Sequence, residues 1–406
     1  MLIDEKSKMK CTACGACLNV CGKKAITFEC DSYGFLYPKV DYKKCVNCGI
    51  CEDVCPMDKS IKNKANPISV YAAQCKDREV LMNSSSGGIF YCLAKETIDG
   101  GGVVSATKYG VNFKPIQAIT SDLKDLERFC GSKYAQSNTN KVFTQIKKLL
   151  EQQKRVFYVG TPCQVSGLKS FLRKDYENLL TIDIVCHGVP SQEWFANYIK
   201  YISCKMKGQV TSFTFRNKRV GWFCNGCTTI RYPNGKVKTK KIPVHSSAYY
   251  QYFMNGDIYR PSCYTCEYAC EERIGDITLG DYWGIEKVHK EFAKRLGKRL
   301  DNGVSVVIIN TKKGLEHFRN IESSLFYCES TYCKAAENNR QLREPSHRKP
   351  NYQHLMKIYE DKSYEGIERE YRKNNRKHIV KQTIKSFIPQ KMKQTISTAL
   401  FDIKRK

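Results

Sequence analysis

The feature that most limits what this chain can fold into is a pair of cysteine runs near its N-terminus, Cys11-x2-Cys14-x2-Cys17-x3-Cys21 and Cys45-x2-Cys48-x2-Cys51-x3-Cys55-Pro56. Three cysteines separated by two residues each can close around one iron–sulfur cube, and in paired runs of this kind the fourth cysteine crosses to the other cube. The spacing therefore predicts two 4Fe-4S clusters, one on Cys11, Cys14, Cys17 and Cys55 and the other on Cys45, Cys48, Cys51 and Cys21. A zinc site needs only four thiolates, and a disulfide framework needs an oxidising compartment. Neither accounts for two copies of a three-gap pattern. Gly22 stands where the first run would usually carry the proline that the second keeps as Pro56.

The chain opens Met1-Leu2-Ile3-Asp4-Glu5-Lys6, with charge where a secretion signal would be apolar. Its longest apolar stretches, such as residues 304–309, are too short to cross a bilayer. A cytoplasmic location is expected, where the 22 cysteines would stay reduced or metal-bound. The net charge of +28 raises the question of nucleic acid, but the excess is uneven: residues 371–406 hold eleven Lys or Arg against the single acid Asp402. No nucleic-acid partner is expected from charge so concentrated. In that tail Met392, Ile396, Ala399, Leu400 and Ile403 share one helical face. A basic amphipathic helix can lie on an anionic surface, which would place the protein peripherally at the inner membrane surface. The plainer expectation is a solvated helix packed loosely on its own domain.

Residues 1–62 read as the cluster module and residues 62–67 as a polar connector. Short apolar runs then alternate with helical stretches. Strands are predicted over 70–73, 103–106, 155–159, 181–185, 210–215, 277–279 and 304–309, and helices over 88–98, 141–153, 164–172, 192–202 and 245–255. Such alternation implies an α/β domain with a buried, mixed sheet over 67–340, followed by a basic helical tail over 341–406.

Three segments have the chemistry of a ligand rim. Ser84-Ser85-Ser86-Gly87-Gly88 precedes a predicted helix, so small residues let amides approach an anion where the helix dipole favours it. Gly131-Ser132-Lys133-Tyr134-Ala135-Gln136-Ser137 adds hydroxyls and a cation. Val159-Gly160-Thr161-Pro162-Cys163 closes a strand, with Thr161 suited to an N-cap and Pro162 to the first helical position. Singly, each of these could be a plain turn. A further group, Cys263-x2-Cys266-x3-Cys270, lacks the four ligands a cube needs, and Cys163 and Cys186 are candidates to complete it. Alternatively, Cys224-x2-Cys227 and Cys263-x2-Cys266 could form a zinc ribbon. Cys30, Cys75, Cys92, Cys130, Cys204, Cys328 and Cys333 show no partner spacing and are expected as apolar thiols.

The succession Ser86-Gly87-Gly88, Gly131-Ser132-Lys133-Tyr134, Gly160-Thr161-Pro162-Cys163-Gln164, Val185-Cys186-His187-Gly188, Cys263-x2-Cys266 and Asp276-Ile277-Thr278-Leu279-Gly280-Asp281-Tyr282-Trp283-Gly284 resembles the family of coenzyme F-420 hydrogenase/dehydrogenase beta subunits. The resemblance covers residues from about 1 to 340 and implies an oxidoreductase with FAD and a third 4Fe-4S cluster. FAD would be held by Ser85, Ser86, Gly87 and Gly88, by Gly131, Ser132, Lys133, Tyr134, Gln136 and Ser137, and by Gly160, Thr161, Pro162 and Gln164. The third cluster would take Cys163, Cys186, Cys263 and Cys266, leaving Cys270 as an extra thiol. Lys133 is the expected cation beside the flavin and His187 the expected proton carrier, against ordinary roles as a surface lysine and a loop histidine. The partner is then a redox protein or a small-molecule hydride donor. The alternative class is an electron-carrier subunit with no substrate of its own. No G-x-G-x-x-G segment supports a nicotinamide bound in Rossmann fashion.

Overall fold

The structure, a computed structural model, describes residues 3–57, 64–220 and 225–387. Both cysteine runs bend in the same way. Ala13 (φ 51°) and Gly15 (φ 93°) turn through the left-handed region in the first run, and Asn47 (φ 50°) and Gly49 (φ 72°) do so at the matching positions of the second. Each reversal curls a two-residue gap so that successive cysteines face a common centre. At Gly15 no side chain fits, because a Cβ would lie 1.9 Å from Thr139 Oγ1. Between the runs β1 (Ile26–Cys30) and β2 (Leu36–Val40) form an antiparallel hairpin in which Ile26 faces Val40. Both side chains are buried with Ile3, Leu18 and the sulfurs of Cys17 and Cys55.

Beyond the connector run β3 (Ser69–Cys75), β4 (Val103–Tyr109), β5 (Pro115–Thr120), β6 (Val156–Gly160), β7 (Leu179–Ile184), β8 (Gln209–Thr214), β9 (Asn225–Arg231), β10 (Val237–Pro243), β11 (Ile277–Asp281), β12 (Ser305–Ile309) and β13 (Leu325–Ser330). Eight of them make one mixed sheet in the order β13-β3-β12-β11-β7-β6-β4-β5. Its centre, β11-β7-β6-β4, is parallel, and the outer strands pair antiparallel. Helices cover both faces, so the inner strands are apolar on both sides. All residues of β12 are buried, and β6 alternates: Phe157 packs with Phe129 and Leu180 on one face, while Val156 and Tyr158 pack with Ile146 and Leu168 on the other.

The strand expected over 210–215 forms, but outside this sheet. As β8 it joins β9 and β10 in a separate antiparallel sheet, because only Val210 and Phe213 of it are buried, with a register shift at 210–212 between them, and the rest is polar and exposed. The helix expected to start at 245 begins at Ala248, since the Ser247 hydroxyl accepts the Tyr250 N–H (3.2 Å) and caps it there.

The second sheet, the helices Gln192–Met206 and Ala248–Asn255, and the kinked helix Tyr352–Phe387, broken at Ser363 (φ 58°), enclose an aromatic core that includes Trp194, Phe195, Tyr198, Phe215 and Tyr249. Tyr352, Leu355, Met356, Tyr359, Tyr364, Ile367 and Tyr371 of the last helix belong to that core. This helix is therefore integral up to Tyr371, although the sequence assigns it to a tail; from Arg372 to Thr383 its side chains are half-buried or exposed. The apolar stripe expected over 392–403 lies outside the described residues. Among the described residues no helix is long and apolar enough to cross a membrane.

Candidate functional site

In the N-terminal module, the thiols acting on Cys17 are those of Cys14, Cys11 and Cys55, while Cys21 acts on Cys51. Each run's last cysteine is thus brought to the other run. Burial pushes the Cys14 thiol up to about 12 and Cys17 well above its ordinary range. Thiols in that state stay protonated unless a cation joins them, which is what bound iron supplies. Two contacts suit sulfur that carries negative charge: Lys6 Nζ donates to Cys55 Sγ (3.0 Å) and the Ala25 N–H to Cys21 Sγ (3.3 Å).

A second cysteine group comes from three separate segments. Cys163 lies in the first turn of the helix Pro162–Leu172, Cys186 follows β7, and Cys263 and Cys266 lie in and just after the turn Pro261–Thr265. The charges of Cys186, Cys266 and Cys163 all raise Cys263, so these four thiols lie within electrostatic reach of one another, although among the described residues no three His, Cys, Asp or Glu side chains gather tightly enough to hold a single metal ion. Burial raises Cys186 to about 12 and Cys266 to about 11, the same chemical condition as in the first module. Cys270 faces elsewhere, donating to Glu267 O and Glu272 O and accepting from Lys64 Nζ (3.3 Å). Cys227, on β9, is not among the thiols acting on Cys263 or Cys266, and its ribbon partner Cys224 lies outside the described residues. Cys163 also acts on Cys14, so the two cysteine groups adjoin.

Cys163 and Cys186 open onto a cavity of about 450 Å³ at the carboxyl ends of the parallel strands, with the three predicted loops on its walls. Side-chain bonds lock the loops together. The Ser132 N–H and hydroxyl both donate to Ser85 Oγ (2.7 and 2.9 Å). Gln164 Nε2 donates to the carbonyl and hydroxyl of Ser137 (3.1 and 2.9 Å), and its Oε1 accepts the Thr161 N–H (3.2 Å). Gln136 Nε2 reaches Thr12 O (3.0 Å) and fastens the rim to the first cysteine loop. Gly88, at φ 86°, precedes the helix Ile89–Asp99, which has no side-chain cap. Amides at such an end favour an anion.

Ser85, Ser86, Gly88, Gly131, Ser132, Lys133, Tyr134, Gln136, Ser137, Gly160, Thr161 and Gln164 line this cavity, but Gly87 and Pro162 do not. Gly87 lies beneath the loop: its N–H donates to Ser305 Oγ (2.9 Å), and a Cβ would come within 2.3 Å of Ala73 O. Lys133 reaches the wall with its ammonium donated to Phe129 O and Cys130 O (2.9 and 2.7 Å), and burial pulls it down to about 8. His187 also lines the cavity, and burial lowers it toward the neutral imidazole.

Several residues here carry no local signal in the sequence. Arg216, at the end of the second sheet, pairs with Asp281 and lies over the Trp283 ring (5.6 Å) at the cavity wall. Lys218 Nζ donates to Leu81 O (2.6 Å) and Ser86 O, fixing the serine loop from behind. Arg260, three residues before Cys263, donates to Cys11 O (2.7 Å) and Gln136 Oε1 (3.1 Å). Their neighbours Asp281 and Trp283, by contrast, belong to the motif over 276–284.

Residues 153–332 match the family described as the C terminus of the beta subunit of coenzyme F420 hydrogenase/dehydrogenase, and residues 10–59 match the 4Fe-4S dicluster domain. Among curated relatives, the coenzyme F420-dependent sulfite reductase of Methanocaldococcus jannaschii is 22% identical over 88% of this chain. The chain spans 53% of that relative's length. The F subunit of the F(420)H(2) dehydrogenase of Methanosarcina mazei is 28% identical over 75% of this chain and 86% of its own length. A solved chain from the xenon-derivatised F420-reducing NiFe hydrogenase complex of Methanosarcina barkeri aligns with 15% identity and a TM-score of 0.42, over 78% of this chain and 92% of that one. The chain thus matches a 4Fe-4S dicluster domain at its N-terminus and, over residues 153–332, the C-terminal region of coenzyme F420 hydrogenase/dehydrogenase beta subunits.

Proposed function

We propose that this protein is a flavin-dependent iron–sulfur oxidoreductase that passes electrons between a hydride donor or acceptor at the cavity and three 4Fe-4S clusters, and on to a partner. The observation that carries the reading is continuity. Cys163 and Cys186 border the cavity, Cys163 also adjoins Cys14, and Cys14 belongs to the N-terminal module. A cavity, a four-cysteine group and the paired cysteine runs therefore neighbour one another in the fold.

The cavity's donors suit FAD. Serine hydroxyls and the uncapped end of the helix Ile89–Asp99 can hold phosphate, while Phe90, Val159, Leu279 and Trp283 offer apolar area to a flat ring. Bound there, a flavin supplies the exchange between a hydride pair and single electrons. Arg216 is the cation we assign to the cavity wall in place of Lys133, whose ammonium is already donated to two carbonyls. Burial holds His187 in the neutral form, able to donate or accept one proton at a ring nitrogen. The carrier-only alternative gives this cavity no role.

The proposed hydride partner is coenzyme F-420, or a reduced carrier in its place, in keeping with the names of the relatives. Anaerobic protein should contain iron and acid-labile sulfide at about 12 each per chain, from three four-iron cubes, with one flavin. Stopped-flow mixing with reduced deazaflavin should bleach the flavin absorbance quickly and NADH should do so slowly. Fast bleaching by NADH alone would refute the assignment of the donor, and protein without flavin would refute the reading itself.

A further inference from the structure

Three arginines are almost wholly buried among the described residues, and two have a carboxylate: Arg273 bonds Asp183 (3.0 Å) and Arg216 pairs with Asp281. Arg260, 0% exposed, has none in reach among the described residues. Its guanidinium donates to Cys11 O and Gln136 Oε1, lies 4.2 Å from the centre of the Tyr37 ring, and leaves Nη2 with no hydrogen-bond partner. Neutral acceptors and the ring faces of Tyr37 and Phe35 do not offset a buried charge, which is strongly destabilising when left uncompensated. Such a charge calls for an anion. The loop its guanidinium grips is that of Cys11, and its own backbone carbonyl accepts the N–H of Cys263 (2.9 Å). Arg260 thus stands between the two adjoining cysteine groups.

A cube of iron and sulfide held by four thiolates is net negative, and nearby charge is one of the factors that set its potential. We infer that Arg260 is the built-in counter-ion shared by the clusters of the Cys11 and Cys163 groups, and that it raises the reduction potentials of both relative to the outer cluster on Cys45, Cys48, Cys51 and Cys21. It is a positioning residue for electron transfer: by stabilising the reduced form of these two clusters, it holds electrons at the inner end of the path. Its signal in the sequence is only an arginine ahead of Cys263; the shared location is tertiary.

The inference rests on the three-cluster reading, and potentiometric titration followed by electron paramagnetic resonance separates the two. In anaerobic full-length protein, Arg260→Gln should lower the reduction equilibrium constants of the two inner clusters at least tenfold, about 59 mV for one electron, and the outer cluster much less. Arg260→Lys, which keeps the charge, should stay close to the unsubstituted protein. Gln136→Glu would set a carboxylate beside Nη1 without removing Arg260, and should lower the same two potentials. It decides the matter if Arg260→Gln loses iron. Unmoved inner potentials in variants that retain their clusters, or equal shifts in all three, would overturn the inference. Iron near eight per chain in the unsubstituted protein would instead overturn the three-cluster reading, leaving the Cys11 cluster to test Arg260.

Discussion

A Cβ placed on Gly167 would lie 2.8 Å from the sulfur of Cys14. Gly167 is one turn beyond Cys163 on the helix Pro162–Leu172, so that helix presents a cysteine of one group at its start and a bare backbone to a cysteine of the other group. No side chain fits between them.

Gly167→Ala should therefore push Cys14 from its place. Overpacking a tight site costs about 1–3 kcal/mol, and the displaced sulfur should also loosen the cluster it holds. Iron content and the thermal midpoint should fall together, whereas Gly235→Ala, in open space where only the left-handed backbone (φ 77°) is strained, should lower the midpoint and leave iron unchanged.

Serine cannot replace a thiolate, so Cys163→Ser and Cys186→Ser should each remove the paramagnetic signal of the cavity-side cluster while the N-terminal pair keeps its own. Cys270→Ser should be mild, because among the described residues that thiol bonds Glu267, Glu272 and Lys64 and none of the cavity-side cysteines. Loss of the signal in Cys270→Ser but not in Cys186→Ser would show a different ligand set.

Gln164 ties Thr161 to Ser137 with four hydrogen bonds and touches two of the cavity loops. Gln164→Leu keeps the volume but leaves those groups unpaired, at about 1–3 kcal/mol. Flavin affinity should drop roughly tenfold or more, one decade being about 1.4 kcal/mol. Fluorescence titration of flavin-free protein measures it.

Burial lowers Lys218 from 10.5 to about 7, with Arg216 adding to the effect. Between these values the unfolded chain binds the proton and the folded chain does not, so this lysine makes stability rise with pH from about 7 upward. Below that the cost of burying the cation is fully felt. Lys218→Met should flatten the rise between about pH 7 and 10 in denaturant melts, and it should free the Ser86 carbonyl that Lys218 now holds. A pH profile identical to that of the unsubstituted protein would contradict the assignment.

Residues 371–406 carry the basic excess, and residues 392–403 within them the apolar stripe, proposed to touch anionic surfaces. Truncation after Phe387 spares Tyr371 and the aromatic core. It should abolish co-flotation with anionic vesicles at low salt, each basic residue being worth about 1 kcal/mol near such a surface and screened by salt. Unchanged flotation would end the idea.

The cysteine runs were legible because cluster spacing is local: ligands separated by two residues are placed by their own loop, as the matched left-handed pairs Ala13/Gly15 and Asn47/Gly49 show. The inner strands were legible for a similar reason, since β12 and β6 must be apolar wherever they sit in a sheet covered on both faces. The edges were not. β5 opens on Pro115, and β9 and β10 are largely polar, so their pairing depends on neighbours far along the chain. Sequence also supplied the three loops and the outlying cysteines, but only tertiary structure set Cys163 beside both Cys14 and Cys263 and placed Arg260 where no acid among the described residues answers its charge. Short-range spacing fixes which groups can bind metal; distances between segments more than a hundred residues apart are set by how the sheet and the aromatic core pack, and packing leaves no periodic trace at the positions it brings together.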